Sequence, residues 1–163
     1  MTTAALCGAA LLAAGCAPGQ PARPARPAPT LATGAGRRAL AARYVAIAQP
    51  ANRRLEIDFD RLDGRDRRDL AAAQGDLRAA ASTEHLFDRR LLAIAFPPAT
   101  EAQVRFLVWV NESRDRLTAT AAAATSLRQL ARYEPRLSTA NQPVEQAVTT
   151  IRSQLGLPPP DTS

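Results

Sequence analysis

The residues of this 163-residue chain that could do chemistry are one histidine, two cysteines and several groups of carboxylates. His85 stands directly beside Glu84. Neighbours on a helix point about 100° apart, so the two cannot grip one metal as the paired Glu-x-x-His motifs of di-iron carboxylate bundles do. Met1 is the only methionine, which leaves no His–Met pair for haem. The acidic stretch from Glu56 to Gly64 invites comparison with a calcium loop. Counted from Asp58, Leu62 falls where an oxygen ligand belongs, Gly64 is at position seven instead of six, and Asp69 is at the twelfth. The alternation of Arg and Asp from Arg61 to Asp69 reads instead as a solvated helix end with local ion pairs. Glu84 and Glu112 form no recognisable acid–base pair, and no Gly-x-Ser-x-Gly elbow or phosphate-cradling glycine loop accompanies the serines and threonines. The expectation is a chain that is not an enzyme, with no cofactor and no metal.

Both cysteines lie near the N-terminus. Residues Ala4 to Ala14 supply an uncharged apolar run, and Ala13, Ala14 and Gly15 are small enough for a signal peptidase pocket just before Cys16. This sequence, Leu12-Ala13-Ala14-Gly15-Cys16, resembles the lipobox of bacterial lipoprotein signal peptides. The resemblance implies cleavage before Cys16, a diacylglyceryl group on its thiol, and a mature protein held at the extracytoplasmic face of the cell membrane. Cys7 would leave with the leader, so the folded part would have no thiol for a disulfide, a zinc site or nucleophilic catalysis. One acyl chain anchors only marginally, at ~0.8 kcal/mol per buried CH₂, and the two or three chains of a bacterial lipoprotein would meet the need. The run is shorter than the ~20 apolar residues of a membrane span. No Lys or Arg precedes Cys16, so a translation start upstream of Met1 is expected.

Behind the box, Pro18, Pro21, Pro24, Pro27 and Pro29 alternate with Ala and Arg in a segment that cannot pack and reads as a tether. The domain plan is a signal peptide over 1–15, a lipidated cysteine and flexible linker over 16–36, a folded part over 37–157 and a disordered tail over 158–163. A net charge of +6 and a pI near 10.8 invite a nucleic-acid reading. Arg23, Arg26, Arg37 and Arg38 hold most of that excess, leaving 17 Arg against 15 acidic residues from residue 39 onward. The folded part is therefore only slightly basic, with signs mixed, and no nucleic-acid partner is expected. The tether's arginines would either be drawn to anionic headgroups, at ~1 kcal/mol each, or serve solubility alone. Absence of Lys and abundance of Ala, Arg, Pro and Gly indicate a GC-rich genome. In layout the chain resembles uncharacterised alanine-rich lipoproteins of high-GC Gram-positive bacteria, a resemblance that transfers no site.

The elements that must position these residues read as helices. Leu40, Tyr44, Ile47, Ala51, Leu55, Phe59 and Leu62 keep one stripe at spacings of three and four, with a kink or break expected at Pro50 and a turn at Asp63-Gly64. A second stripe runs from Leu70 through Ala73, Leu77, Ala80, Glu84, Phe87 and Leu91 to Ile94, ending at Pro97-Pro98. The third helix should open near Pro98 or Ala99, pass Val104, Phe106, Leu107, Val110, Leu117 and Leu127, and stop before Pro135; a strand over the five residues 106–110 competes, and length decides for helix. The fourth carries Val144, Ala147, Val148, Ile151 and Leu155, with Ser138, Thr139 or Asn141 as cap and Gly156 then Pro158 as stop. Four amphipathic helices with short connections predict an all-α fold, an antiparallel four-helix bundle behind the leader and linker. Ala46–Pro50 is echoed 47 residues later by Ala93–Pro97, either a helical-hairpin repeat or chance among so many alanines.

Three aromatic residues are the remaining candidates for contact. Phe87, Phe106 and Trp109 would either join the core or form an apolar patch for a ligand or partner. The run from Phe106 to Val110 is apolar all round and predicts burial on several sides, Trp109 included. The functional expectation is a lipid-anchored envelope lipoprotein whose bundle is a non-catalytic binding or structural module for another envelope protein. Its alternative is a carrier or sensor of a small apolar or lipid ligand held between the helices.

Overall fold

Segments with helical spacing of apolar residues, punctuated by Gly, Pro and Asp, become four long helices and one short one in the computed structural model, which describes residues 34–160. The leader, Cys16 and the tether up to residue 33 lie outside the described residues, as do 161–163. The order is α1 Gly34–Asp63, α2 Leu70–Leu92, α3 Pro98–Ala121, α4 Leu127–Ala131 and α5 Glu134–Leu155. The described residues are all-α. Six residues join α1 to α2 and five join α2 to α3, lengths that turn each helix back on its predecessor.

Packing runs around the bundle from α1 to α2 to α3 to α5, and the ring closes through a thinner seam between α5 and α1. Two apolar clusters fill it. The larger joins Ala41, Tyr44 and Ala48 of α1 to Leu91 of α2, to Ile94 and Phe96 of the turn that follows it, to Val104, Leu107 and Val110 of α3, and to Val144, Ile151 and Leu155 of α5. Leu91, Leu107 and Ile151 are fully buried, each contributing roughly 1.5–3 kcal/mol by its removal from water. The smaller, at the opposite end, gathers Leu77, Ala121 and Ala122 with Leu62, Leu130, Tyr133 and Leu137 packed against them. First halves of α1 and α3 thus meet second halves of α2 and α5, as an antiparallel bundle requires. Alanines at 41, 48, 73, 80, 121 and 147 occupy core positions and let the helix backbones approach closely.

Helix ends follow local chemistry. Asp69 Oδ1 accepts from the backbone N–H groups of Ala71 at 2.9 Å and Ala72 at 3.0 Å, an N-cap that contributes ~1 kcal/mol. Pro98 opens α3 at a position where its missing N–H costs nothing. Gly156, at φ 72°, ends α5 in the left-handed region, and the N–H of Leu157 returns to Arg152 O.

Four details depart from the sequence expectation. α1 runs unbroken through Pro50, because Ala41, Tyr44 and Ala48 before it are buried in the larger cluster while Asp58 is buried and Leu62 packs on the smaller cluster after it. α1 opens at Gly34, so the last three residues assigned to the linker are helical. The third helix ends at Ala121 rather than before Pro135. Between Leu117 and Leu127 no large apolar side chain holds the helix to its neighbours, and Gln74 Nε2 takes the carbonyl of Ala124 at 2.8 Å. Ser126 then caps α4, its Oγ accepting from Gln129 N–H at 3.2 Å while Gln129 Oε1 accepts from Thr125 N–H at 2.8 Å. Finally, α5 begins at Glu134 with Pro135 in its first turn, and Thr139, expected as a cap, donates to Pro135 O one turn back. The two echoed pentapeptides differ in structure, since Ala46–Pro50 lies inside α1 and Ala93–Pro97 forms the α2–α3 turn. They are not copies of one structural unit.

Candidate functional site

Polar residues at core positions separate the two apolar clusters. Buried spacing in α2 runs Leu77, Ala80, Glu84, Asp88, Leu91, and in α3 Val104, Leu107, Asn111, Thr118, Ala121, with Arg114 between. The alternation of three and four that brings leucines inward therefore also brings in Glu84, Asp88, Asn111 and Arg114. The Arg114 guanidinium pairs through Nη2 with Glu84 Oε1 and donates through Nη1 to Asn141 Oδ1 of α5 at 2.7 Å. Asn141 in turn donates to Glu145 at 2.5 Å. Beside this chain, Asn111 Nδ2 donates to Asp88 Oδ1 at 2.9 Å.

Burial governs the protonation of the layer. Asp88 is pushed up to about 7, first by loss of water and then by the nearby Asp115 and Glu112 carboxylates, with the Asn111 hydrogen bond opposing. Burial also raises Asp115, against the pull of Arg114 and His85, and lowers Arg114, against Asp115 and Glu145. His85 itself is on the exposed face of α2. Towards the other end, Asp58 is buried in α1 beside Arg54 Nε at 3.2 Å and Arg61 Nη1 at 3.8 Å, so the residue that would open a calcium loop is instead a helical ion-pair partner. Asp76 of α2 is raised by burial and by Asp66. No group of His, Cys, Asp and Glu among the described residues has the arrangement of a metal site, and none of their helices is long and apolar enough to cross a membrane.

The α1–α5 seam holds a cavity of about 90 Å³ next to the polar layer. Phe87 lines it together with Tyr44, the two rings meeting edge to face at 6.4 Å between centroids. Burial raises the Tyr44 hydroxyl, with Arg152 of α5 pulling the other way. Glu84 and Asn111 also line the cavity, and Glu84 Oε2 and Asn111 Oδ1 are buried acceptors with no partner. Arg152 stands at its edge, donating to the carbonyls of Pro158 at 2.6 Å and Pro159 at 3.4 Å, and Pro160 completes the wall. The start of the tail, expected to be disordered, is thus tied to α5. A second hollow of about 320 Å³ lies at the α2–α3 turn, between Leu92, Phe96 and the exposed Glu101–Arg105 pair.

The other two aromatic candidates lie elsewhere. Phe106 is 42 % and Trp109 61 % exposed, their rings 5.9 Å apart on the outer face of α3. This corrects the expectation that Trp109 is core. Val104, Leu107 and Val110 take the inward positions, and helical geometry turns residues 106 and 109 outward however apolar the run. The structure brings only Phe87 to a cavity. Asp88, Arg114, Asp115 and Asn141 are the residues that sequence reasoning missed; their signal was polar side chains at core spacing. Comparison with family models, with curated proteins and with solved structures found no match.

Proposed function

We propose that this protein is a lipid-anchored envelope lipoprotein, held at the extracytoplasmic face of the cell membrane through Cys16, whose bundle is a binding or structural module rather than a catalyst. The lipobox supports the anchor. The observation that carries the binding role is the Phe106–Trp109 pair, two large exposed aromatic rings side by side with their planes tilted by 36°, with Arg105 and Arg116 on the same exposed face. Aromatic residues with a polar rim are the usual composition of protein contact centres. An envelope protein that covers this face is the partner the reading calls for.

The test begins with intact mass and membrane fractionation of the protein expressed from its native upstream region. An acylated N-terminal Cys16 in membranes, absent in Cys16→Ala, supports the anchor; a soluble, unprocessed chain overturns it. Cross-linking in those membranes should give one discrete adduct that Trp109→Ala and Phe106→Ala both abolish without lowering thermal stability. An adduct indifferent to both substitutions refutes the α3 face as the contact.

A second reading, a carrier or sensor of a small ligand between the helices, draws support from the seam cavity. Its size narrows the ligand. At about 90 Å³ it is well below the ~300 Å³ at which ordinary ligand pockets begin, so an acyl chain does not fit and a molecule of a few heavy atoms does.

A further inference from the structure

We infer that the end of the bundle where the chain from Cys16 enters is a docking surface for anionic phospholipid headgroups, so that the folded domain itself lies against the membrane. This rests on the reading of Cys16 as a lipid anchor, which brings the surface within reach.

The first turns of α1 and α3 and the last turns of α2 and α5 meet at this end, around the larger apolar cluster. Six exposed arginines stand there: Arg37, Arg38 and Arg43 of α1, Arg89 and Arg90 of α2, and Arg105 of α3. Arg152 of α5 adds a seventh, half-buried. Of the six, only Arg105 has a carboxylate partner among the described residues, Glu101 at 2.7 Å. The other acidic residue of this end, Asp88, is buried and accepts from Asn111. Over the rest of the described chain, from Arg53 to Glu84 and from Glu112 to Glu145, twelve arginines balance twelve carboxylates. The positive excess of the described residues is therefore confined to one end.

A surface of opposite sign is what such an end fits. Each basic residue close to an anionic membrane strengthens binding about fivefold, and the effect fades within a Debye length of ~8 Å. Contact must therefore be close, and the path of the chain provides for it. The sequence leading from Cys16 joins the bundle at Gly34, so the anchor brings these arginines, and not the 64–69 turn, nearest to the headgroups. Leu92 fits the surface to lipid rather than to a soluble polyanion. It closes α2 just after Arg89 and Arg90 and is more exposed than any other large apolar side chain of the described residues except Trp109. Exposed Ala93 and Ala95 follow it. A leucine so placed enters the boundary of the acyl chains while the arginines stay with the phosphates.

The experiment is vesicle sedimentation of the full chain carrying Cys16→Ala, which cannot be acylated. Vesicles of phosphatidylcholine and phosphatidylglycerol in equal parts are compared with phosphatidylcholine alone. Binding should be about tenfold tighter or more on the anionic vesicles and should weaken as salt is raised. Arg89→Gln/Arg90→Gln should lower it about tenfold or more, two factors of about five. Arg67→Gln/Arg68→Gln removes the same charge from exposed positions at the far end, well beyond a Debye length, and should leave it within about twofold. Equal losses from both pairs would mean that net charge alone attracts the chain, and would overturn the assignment of this end. Leu92→Ser leaves every charge in place and should still weaken vesicle binding severalfold. Unchanged binding in Leu92→Ser would make the surface one for a soluble polyanion and overturn the lipid assignment. Leader and tether are common to all these chains, so the differences belong to the bundle. Equal binding to both kinds of vesicle would overturn the docking surface and leave the Cys16 anchor standing. An unacylated chain recovered from cells that still binds anionic vesicles would remove the anchor and leave the surface.

Discussion

Arg114→Met removes the guanidinium that Glu84 touches and keeps most of the side-chain volume. In the native bundle the Glu84 side chain is 4 % exposed and that of Arg114 13 %. The glutamate would then be left in a dry layer with Asp88 and Asp115 nearby, and the hydrogen bond to Asn141 would be lost as well. Breaking a buried pair in this way costs about 3–5 kcal/mol, where an exposed pair would cost under ~1 kcal/mol. Against the ~5–15 kcal/mol that holds a domain together, that is about a fifth of the stability or more, and a fall in Tm of roughly 10–20 °C. Urea and thermal unfolding followed by far-UV circular dichroism measure both quantities. The double variant Glu84→Leu/Arg114→Met distinguishes desolvation from lost packing, because it buries no charge and should recover most of the deficit. A loss below ~1 kcal/mol in Arg114→Met, or a double variant less stable than the single, would refute the reasoning.

Other outcomes follow from burial and backbone. Asp88 holds its proton more tightly in the folded state, so its ionisation opposes folding. That penalty is absent below about pH 4, the ordinary carboxyl range, grows as pH rises and is complete above about pH 7, so stability should fall across this window and Asp88→Asn should flatten the fall. A ¹³C titration of the Asp88 carboxyl with a midpoint below 5 would contradict it, such a value being that of a solvated aspartate. Trp109 is the only tryptophan, so intrinsic fluorescence should be that of a solvated indole, readily quenched by acrylamide, and Trp109→Ala should change stability by no more than ~0.5 kcal/mol. A blue-shifted, protected emission would contradict the outward placement. Gly156→Ala forces a side chain into the left-handed region and should cost about 1–2 kcal/mol in urea unfolding, whereas unchanged stability would mean that the cap relaxes freely.

Much of the architecture was legible in the spacing of apolar residues. Tyr44, Leu77, Leu91, Val104, Leu107 and Ile151 all fall on the stripes read from sequence and all are buried. Punctuation was less legible. A proline inside a helix looks like a break until tertiary packing on both sides outweighs its local cost, as at Pro50. Where nine residues without a large apolar side chain follow Leu117, continuing the stripe to Leu127 mistook a turn for helix. Ser126-x-x-Gln129 was the local signature of a new start, and Asp69 before Leu70 was another. The candidate site was the least legible part. Glu84 already stood on the second stripe, but Asp88 looks like a surface residue until spacing is weighed above polarity, and Trp109 looks like core until the same rule is applied to it.

Arg37, in the second turn of α1, lies 3.6 Å from where a side chain on Gly156 would begin. The two ends of the bundle's polypeptide path are therefore neighbours at one pole, while the turn over 64–69 is at the other, about 45 Å along the 30 residues of α1. The path is nearly a closed loop. A short Gly-rich splice from Pro160 to Gly34, with new ends opened in the 64–69 turn, would yield a circular permutant that keeps Leu157 on the core and the contacts of the helices, since neither cut nor join falls inside a helix.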